Sequence, residues 1–232
     1  MTLYLYGGPK TRVSMPKWYL AEKGISYEYV NIDLAARQNL AASYLEVNPF
    51  GKLPALKDAS NGLVLFESGA ILQYLSENYA NEVHDAATRA SISQWILFAN
   101  STLAIALFVP ANKEREFPRL MATLNDIYAK KQFLVGDCWT AADCAVNAYL
   151  GYLPIFYPNE DLSAYPEIQA LNERTRSNPN YRTIMGPVNH SIAVEFHVFL
   201  SFNFPPCSML PTPHHPRDWR LSAVSSPIGN AA

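Results

Sequence analysis

The sequence predicts a small α/β unit followed by an all-helical bundle. In residues 1–79, short stretches that alternate between apolar and polar side chains are interleaved with stretches of helical periodicity, in the order β-α-β-α-β-β-α. From about residue 86 the strand pattern disappears, and apolar residues recur at helical spacing up to residue 185. We therefore expect an α/β domain at 1–79 and an all-helical domain at 86–186, joined by a short linker.

Four strands and three helices account for the predicted α/β domain. The strands are Leu3–Tyr6, Tyr27–Ile32, Pro54–Lys57 and Leu63–Phe66, and the helices are Val13–Lys23, Leu40–Val47 and Ser68–Tyr79. The first helix is expected to end at Gly24, because glycine adopts the left-handed conformation that is common after a helix C-terminus. The second stops before Asn48-Pro49, since the residue that precedes a proline disfavours the helical conformation.

Four helices are predicted in the second domain. They are Ile92–Val109, Pro118–Phe133, Thr140–Phe156 and Tyr165–Ser177. Pro118 is placed at or near the first position of its helix, where a missing N–H costs nothing. Thr140 and Asp143 have the spacing of a capping box, in which each side chain bonds the other residue's backbone N–H, so we expect them to be structural.

The composition indicates an ordinary globular surface. The chain has 232 residues, 49% of them hydrophobic and 16% charged, and a net charge of −2. This balance argues against a broad nucleic-acid or anionic-membrane footprint. The three cysteines form no Cys-x-x-Cys pair, and the first residues lack the features of a signal peptide, so we expect a reducing, cytoplasmic setting.

The segment 187–232 differs from the rest of the chain. It contains seven of the 17 prolines and four of the five histidines, and it has no lysine. We expect it to be an atypical, poorly ordered tail. Because His84 is the only histidine before this segment, no Ser-His-Asp triad is predicted. No zinc site is predicted either, because His214-His215 lies among prolines with no spaced cysteines.

Two neighbouring stretches point to a site for a small peptide. In the first, Leu53-Pro54 lies at the start of a strand, and a cis bond there would leave the Leu53 amide and carbonyl facing outward. In the second, Glu67-Ser68 precedes an apolar helix, whose unpaired N–H groups attract a carboxylate. Ser68 is also expected to cap this helix. The pair of stretches predicts backbone pairing for the middle of a ligand and a helix N-terminus for its acidic end.

Three motifs, in this order, resemble those of the cytosolic glutathione transferases. They are Asn-Pro-x-Gly-Lys-x-Pro-Ala-Leu at 48–56, Glu-Ser-x-Ala-Ile-x-x-Tyr-Leu at 67–75 and Thr-Ala-Ala-Asp at 140–143. The resemblance covers about residues 1–186, and among the classes it is most similar to the small cyanobacterial chi class. It implies a thioredoxin-like α/β N-terminal domain, an all-α helical-bundle C-terminal domain, a homodimer, and glutathione as co-substrate without a further cofactor.

The resemblance also implies roles for individual residues. The backbone of Leu53, next to Pro54, would pair with the cysteinyl part of glutathione. Glu67 and Ser68 would hold its γ-glutamyl end, and Lys52 would lie near a ligand carboxylate. The implied activity is detoxifying attack of the glutathione thiolate on small hydrophobic electrophiles such as aryl halides and isothiocyanates, held near Phe98–Phe108. Glutathione-dependent isomerase or peroxidase activity and non-catalytic binding are the alternatives.

The loop after the first strand departs from the family pattern. Most classes place a Tyr, Ser or Cys here, whereas this chain has Gly-Gly-Pro-Lys-Thr-Arg-Val-Ser at 7–14 and no cysteine before Cys138. A free thiol has a pKa of about 8.5, and a cation or a hydrogen-bond donor favours its reactive thiolate. The candidates for this role are Arg12 as a fixed charge, Ser14 or Thr11 as hydroxyl donors, and the backbone amides.

Overall fold

The structure is a computed structural model in which residues 2–185 are described. Its first part contains four strands and three α-helices, with one short 3-10 helix at Gln38–Leu40. The elements are β1 (Leu3–Gly7), α1 (Ser14–Glu22), β2 (Glu28–Asn31), α2 (Ala42–Leu45), β3 (Ala55–Asp58), β4 (Leu63–Phe66) and α3 (Ser68–Asn78). The predicted order of these elements is confirmed, with ends that differ by one to two residues for most of them.

The four strands form one sheet in the order β2-β1-β3-β4. Strand β1 runs parallel to β2, while β3 is antiparallel to both β1 and β4. In this register Tyr6 pairs with Ala55, and Ala55 pairs with Phe66. The end of β1, the start of β3 and the end of β4 therefore lie at the same edge of the sheet, which brings the three loops beyond them together.

The second part is helical throughout. It consists of α4 (Ala86–Leu97), a π-helical stretch (Phe98–Leu103), α5 (Ala104–Phe108), α6 (Pro110–Tyr128), α7 (Ala141–Phe156), α8 (Pro166–Ser177) and α9 (Pro179–Met185). The short helix α9 was not predicted from the sequence. The architecture predicted for the chain, an α/β domain followed by an all-helical domain, is confirmed, whereas the exact boundaries 1–79 and 86–186 stay predictions.

The prediction that Pro118 begins a helix is wrong. Helix α6 starts eight residues earlier, with Pro110 in its first turn, and Pro118 lies in its interior. A proline in a helix interior lacks the N–H that would bond the preceding turn. Proline is therefore usually found at the start of a helix or at a kink. The helix continues because one of its faces is buried from Phe117 to Tyr128, through Leu120 and Leu124 among others, and tertiary packing outweighs the local preference.

Helix α7 lies at the centre of the core. Most of its residues are buried, and its neighbours include α1, α3 and α4. The buried cluster to which it belongs extends into the sheet through Leu3, Leu5 and Leu56, so residues of both predicted domains share one core. Residues 86–108, taken together, are long and apolar enough to cross a membrane by length and composition alone. Here their buried face joins the same core through Ile92 and Leu103.

The predicted capping box at the start of α7 is confirmed. The Thr140 N–H and the Thr140 hydroxyl both donate to Oδ2 of Asp143 at 3.0 Å. The other oxygen of Asp143 accepts the Leu134 N–H at 2.9 Å, so this carboxylate also anchors the preceding loop. Burial raises the pKa of Asp143, and these hydrogen bonds offset part of that shift. The expectation of a poorly ordered tail at 187–232 lies outside the described residues.

Candidate functional site

Gly8 allows the loop after β1 to approach the backbone that follows β2 closely. A Cβ atom on Gly8 would lie 2.7 Å from the Ile32 carbonyl oxygen and 3.4 Å from Cδ1 of Leu53. The first of these distances is too short for any side chain, so only glycine fits at this position. The loop after β1 consequently packs directly against the backbone that follows β2, whereas the Leu53 side chain lies at an ordinary contact distance from the same position.

The Leu53–Pro54 peptide bond is cis, as the sequence predicted. Two side chains hold the backbone of the segment before it. The Lys52 carbonyl accepts from the Tyr44 hydroxyl at 2.6 Å and from Nδ2 of Asn48 at 2.8 Å. The Lys52 side chain itself is exposed. Tyr44 and Asn48 thus position the loop that carries Leu53, a role that sequence reasoning did not assign to them.

The prediction that Ser68 caps helix α3 is wrong. The N-cap is Glu67, which has a φ of 71° and makes no capping hydrogen bond with its side chain. This positive φ is uncommon for a residue with a side chain and is typical of functional turns. Ser68 is the first residue of the helix, and its buried hydroxyl instead donates to Oδ1 of Asn100, in the π-helical stretch, at 3.3 Å.

The start of α3 offers backbone donors to an acidic ligand. The first hydrogen bond of the helix runs from the Ile71 N–H to the Glu67 carbonyl at 3.0 Å. The N–H groups of residues 68–70 precede this bond and carry the partial positive charge of a helix N-terminus. Together with the exposed Glu67 carboxylate, they provide partners for both the acid and the ammonium group of an amino-acid end.

Arg12 extends from the loop after β1 to the helical domain. Although the residue as a whole is exposed, its Nη1 donates to the Tyr149 hydroxyl at 3.3 Å. Burial lowers the pKa of Arg12, but the Tyr149 hydroxyl and the carboxylate of Glu67 outweigh burial, and the net shift is upward. The guanidinium therefore stays charged and lies within the electrostatic reach of Glu67.

The hydroxyls of Thr11 and Ser14 are both engaged within the fold. Thr11 donates to the Gly8 carbonyl at 2.8 Å and accepts the Val13 N–H at 3.4 Å. Ser14 donates to the Thr11 carbonyl at 3.3 Å, and its oxygen lies 2.6 Å from the Tyr152 hydroxyl. Each hydroxyl has one proton, and each can donate it to a backbone carbonyl of the loop. Arg12, with five donors, retains more capacity toward a ligand.

A chain of hydrogen bonds connects Arg12 with the start of α3. Arg12 donates to the Tyr149 hydroxyl, and that hydroxyl donates to Oδ1 of Asn100 at 2.8 Å. The same Asn100 oxygen accepts from Ser68. We refer to these four residues as the Arg12–Ser68 network. Sequence reasoning missed its two central members; the only signal for Asn100 was a polar residue within a strongly apolar helix, and nothing marked Tyr149.

The two parts of the chain also match known sequences. The family model described as "Glutathione S-transferase, N-terminal domain" matches residues 1–77, and the one described as "Glutathione S-transferase, C-terminal domain" matches residues 88–182. The chain belongs to the glutathione S-transferase family. Its four-stranded sheet with flanking helices is the thioredoxin-like domain of that fold, and residues 86–185 are its helical domain.

Relatives in this family are similar to the chain over most of its length. Glutathione S-transferase 3 of Zea mays is 30% identical over 80% of this chain and 94% of its own. Disulfide-bond oxidoreductase YfcG of Escherichia coli (strain K12) is 30% identical over 75% of this chain and 90% of its own. A solved glutathione transferase from Burkholderia graminis, with two glutathione molecules bound per subunit, is 25% identical and superposes with a TM-score of 0.66, covering 79% of this chain and 87% of its own. Membership of the chi class stays a prediction.

The residues expected to hold an electrophile fall into two groups. Leu103 and Leu107 are fully buried and belong to the core. Phe108 lies at the end of α5, with its ring centroid 6.3 Å from that of Tyr149 and 5.0 Å from that of Phe156. Phe108 therefore lies beside Tyr149, a member of the Arg12–Ser68 network.

Proposed function

We propose that this chain is a glutathione transferase that conjugates the glutathione thiolate to small electrophiles such as aryl halides and isothiocyanates. The observation that carries the proposal is the convergence, at one sheet edge, of the Leu53 loop, the start of α3 and the Arg12 guanidinium. These supply a backbone pairing site, an anion site and a fixed cation, which are the groups that a γ-glutamyl peptide and its thiolate require.

Glutathione would lie across this edge. The Leu53 backbone would pair with its cysteinyl part, and Glu67 and Ser68 would hold its γ-glutamyl end. The exposed Lys52 side chain would reach a ligand carboxylate. Support comes from the family relationship and from the solved Burkholderia graminis relative, which contains bound glutathione.

Arg12 would activate the thiol. A nearby positive charge favours the thiolate over the thiol, and each unit by which the thiol pKa falls corresponds to about 1.4 kcal/mol. The thiolate would then attack the ring carbon of an aryl halide, forming a C–S bond as the carbon–halide bond breaks and halide leaves. With an isothiocyanate, sulfur would add to the central carbon, and the nitrogen would take up a proton.

Turnover by the purified chain tests this proposal. We expect glutathione-dependent conjugation of an aryl halide and an isothiocyanate well above the uncatalysed rate, and a fall in kcat/KM of about tenfold in Arg12→Ala near neutral pH. Arg119→Ala is the matched control, because this arginine is exposed and pairs with Glu116 on the surface. Absence of turnover with both electrophiles, in a protein that binds glutathione, would instead favour a non-catalytic binding module.

A second candidate function is glutathione-dependent reduction of small disulfides. It is favoured by the similarity to the disulfide-bond oxidoreductase YfcG. Two molecules of glutathione would reduce one disulfide to two thiols and form glutathione disulfide, so the chain would need no cysteine of its own in the loop. A hydroxyethyl disulfide and an organic hydroperoxide, assayed beside the electrophiles, separate this activity and the peroxidase alternative from conjugation.

We also propose that the chain forms a homodimer through its apolar surface. Phe50 and Leu97 are 68% and 64% exposed, and these large apolar side chains are candidate contact surfaces. Light scattering on the purified protein tests this directly, with twice the 25.9 kDa chain mass as the expected result. A monomer at assay concentrations would contradict it.

A further inference from the structure

Tyr149 occupies the centre of the Arg12–Ser68 network. It lies on α7 and is only 4% exposed, but its hydroxyl contacts a charged side chain on one side and an amide on the other. A buried tyrosine needs a partner for its hydroxyl, but one acceptor would satisfy it. The second contact, to Arg12, joins the helical domain to the loop expected to hold the thiol.

The hydrogen bonds of the network have one consistent direction. Nδ2 of Asn100 donates to the Ile96 carbonyl at 3.1 Å, so Oδ1 is the atom that faces Tyr149 and Ser68. Oδ1 can only accept, and both hydroxyls must therefore donate to it. With its proton committed to Asn100, the Tyr149 oxygen presents a lone pair to Nη1 of Arg12. Asn100 thus determines which way the Tyr149 hydroxyl points.

We propose that Tyr149 is a positioning residue, which holds the Arg12 guanidinium at the glutathione thiol and, through Asn100, fixes it relative to the γ-glutamyl site at Ser68. This rests on the proposed function, in which Arg12 stabilises the thiolate. Arginine has a long side chain with many rotamers, and an unrestrained guanidinium would spend much of its time in solvent. The Tyr149 acceptor limits that freedom, so the charge is in place before glutathione binds.

Close packing at Gly69 connects the two ends of the network. A Cβ atom on Gly69 would lie 2.6 Å from Nδ2 of Asn100 and 2.8 Å from Cγ2 of Ile96. Because Gly69 has no side chain, the first turn of α3 can pack directly against the Asn100 side-chain amide. As a result, Ser68 and Asn100 cannot shift independently, and the position of the γ-glutamyl site is coupled to that of Tyr149.

The proposal is tested with Tyr149→Phe, which removes one oxygen and keeps the ring. We expect the pKa of enzyme-bound glutathione, followed by the ultraviolet absorbance of the thiolate, to rise. We also expect kcat/KM near neutral pH to fall about three- to tenfold and to recover at alkaline pH, while the KM for glutathione changes by less than about twofold. Tyr128→Phe is the matched control, because its buried hydroxyl bonds Asn147 at 3.1 Å in the same helical domain, and the thiol pKa should stay at the parent value.

A double variant shows whether Tyr149 acts through Arg12. In an Arg12→Ala background, Tyr149→Phe should change kcat/KM by less than about twofold, because the group it positions is gone. Equal effects of Tyr149→Phe in both backgrounds would overturn the positioning role. A normal thiol pKa in Tyr149→Phe, together with a raised one in Arg12→Ala, would also overturn it but leave the activation by Arg12 intact. If Arg12→Ala itself leaves the thiol pKa unchanged, the proposed activation fails, and the role of Tyr149 fails with it.

Asn100→Ala tests the second half of the network and serves if Tyr149→Phe does not fold. Loss of Oδ1 frees the Tyr149 hydroxyl to turn and removes the partner of Ser68. We expect a smaller rise in the thiol pKa than in Tyr149→Phe, together with a rise in the KM for glutathione of about two- to fivefold. A folded Asn100→Ala protein with the parent thiol pKa and KM would overturn the coupling to the γ-glutamyl site.

Discussion

The Lys23 ammonium forms an ion pair with Glu82, at 2.8 Å from Oε1. The other oxygen of Glu82 accepts the N–H of Ala141, the first residue of α7, at 3.0 Å. Lys23 also donates to the Trp139 carbonyl at 2.8 Å. A carboxylate of the linker therefore satisfies one of the unpaired donors at the start of α7 and, through Lys23, ties α7 to the end of α1.

Glu82→Ala should destabilise the protein by about 1–3 kcal/mol, because it removes the counter-ion of Lys23 and leaves the Ala141 N–H without its acceptor in a largely buried place. Urea unfolding measures this change. Glu77→Ala is the control, since Glu77 pairs with Arg89 at the surface, where loss of an ion pair costs about 1 kcal/mol or less. Equal effects of the two variants would contradict a special role for Glu82.

Asp58 should make stability depend on pH in the acid range. Burial alone would raise the pKa of Asp58, but hydrogen bonds from Ser60, Tyr74 and Tyr79 outweigh burial and hold it well below its usual range. Because the folded-state pKa is depressed, the stabilisation is complete above the unfolded pKa of about 3.9 and is lost as the pH falls from there toward the folded pKa.

Unfolding of the parent and of Asp58→Asn, measured from about pH 7 down to about pH 3, checks this expectation. The variant should be less stable than the parent near neutral pH, and the gap should narrow as the pH falls below about 4. A gap that stays constant over the whole range would show that the carboxylate charge of Asp58 does not carry the stabilisation.

Thr140→Ala should lower the free energy of unfolding by about 0.5–2 kcal/mol through loss of the cap. Asp143→Ala should cost more, because it also leaves the Leu134 N–H unsatisfied in a buried loop. Turnover should barely change at temperatures where the variants stay folded. A large fall in turnover with intact folding would mean that the pair has a functional role that the capping geometry does not reveal.

Gly69→Ala should reduce both stability and glutathione affinity, by about 1–3 kcal/mol for stability, since its Cβ would overlap Asn100 and Ile96. Unfolding and calorimetric titration measure the two effects. Adding Asn100→Ala removes one of the overlapping groups, so the double variant should regain stability without regaining affinity. If Gly69→Ala binds glutathione like the parent, the first turn of α3 tolerates more movement than the packing indicates.

The pH–rate profiles of three alanine variants should identify the thiol activator. Arg12→Ala should lose activity near neutral pH and regain part of it at higher pH, where the thiolate forms unaided, and Arg12→Lys should keep an intermediate level. Thr11→Ala and Ser14→Ala should be milder, because both hydroxyls have acceptors within the loop. A shift in Ser14→Ala alone would make this protein a serine-type member of the family.

Local chemistry made several features predictable. The cis bond before Pro54 and the capping box of Thr140 and Asp143 depend on residues next to each other or three apart, so the sequence contains all the groups involved. Ser68 and Pro118 were misplaced for the opposite reason. The Ser68 hydroxyl bonds Asn100, which is 32 residues away in the sequence. Pro118 lies inside α6 because the packing of that helix outweighs the local preference for a helix to start at proline.

The sequence by itself determined the order of the elements and the family, since these follow from periodicity and from short motifs, and its assignment of the glutathione-binding residues stays a prediction. Only the tertiary structure decided which residues of the helical domain contact the loop after β1. Arg12 and Tyr149 are 137 positions apart, and Tyr149 and Asn100 are 49 apart. Such pairs are created by the packing of α7 against α1, α3 and the π-helical stretch, and no spacing along the chain shows which buried hydroxyl will contact which charged group.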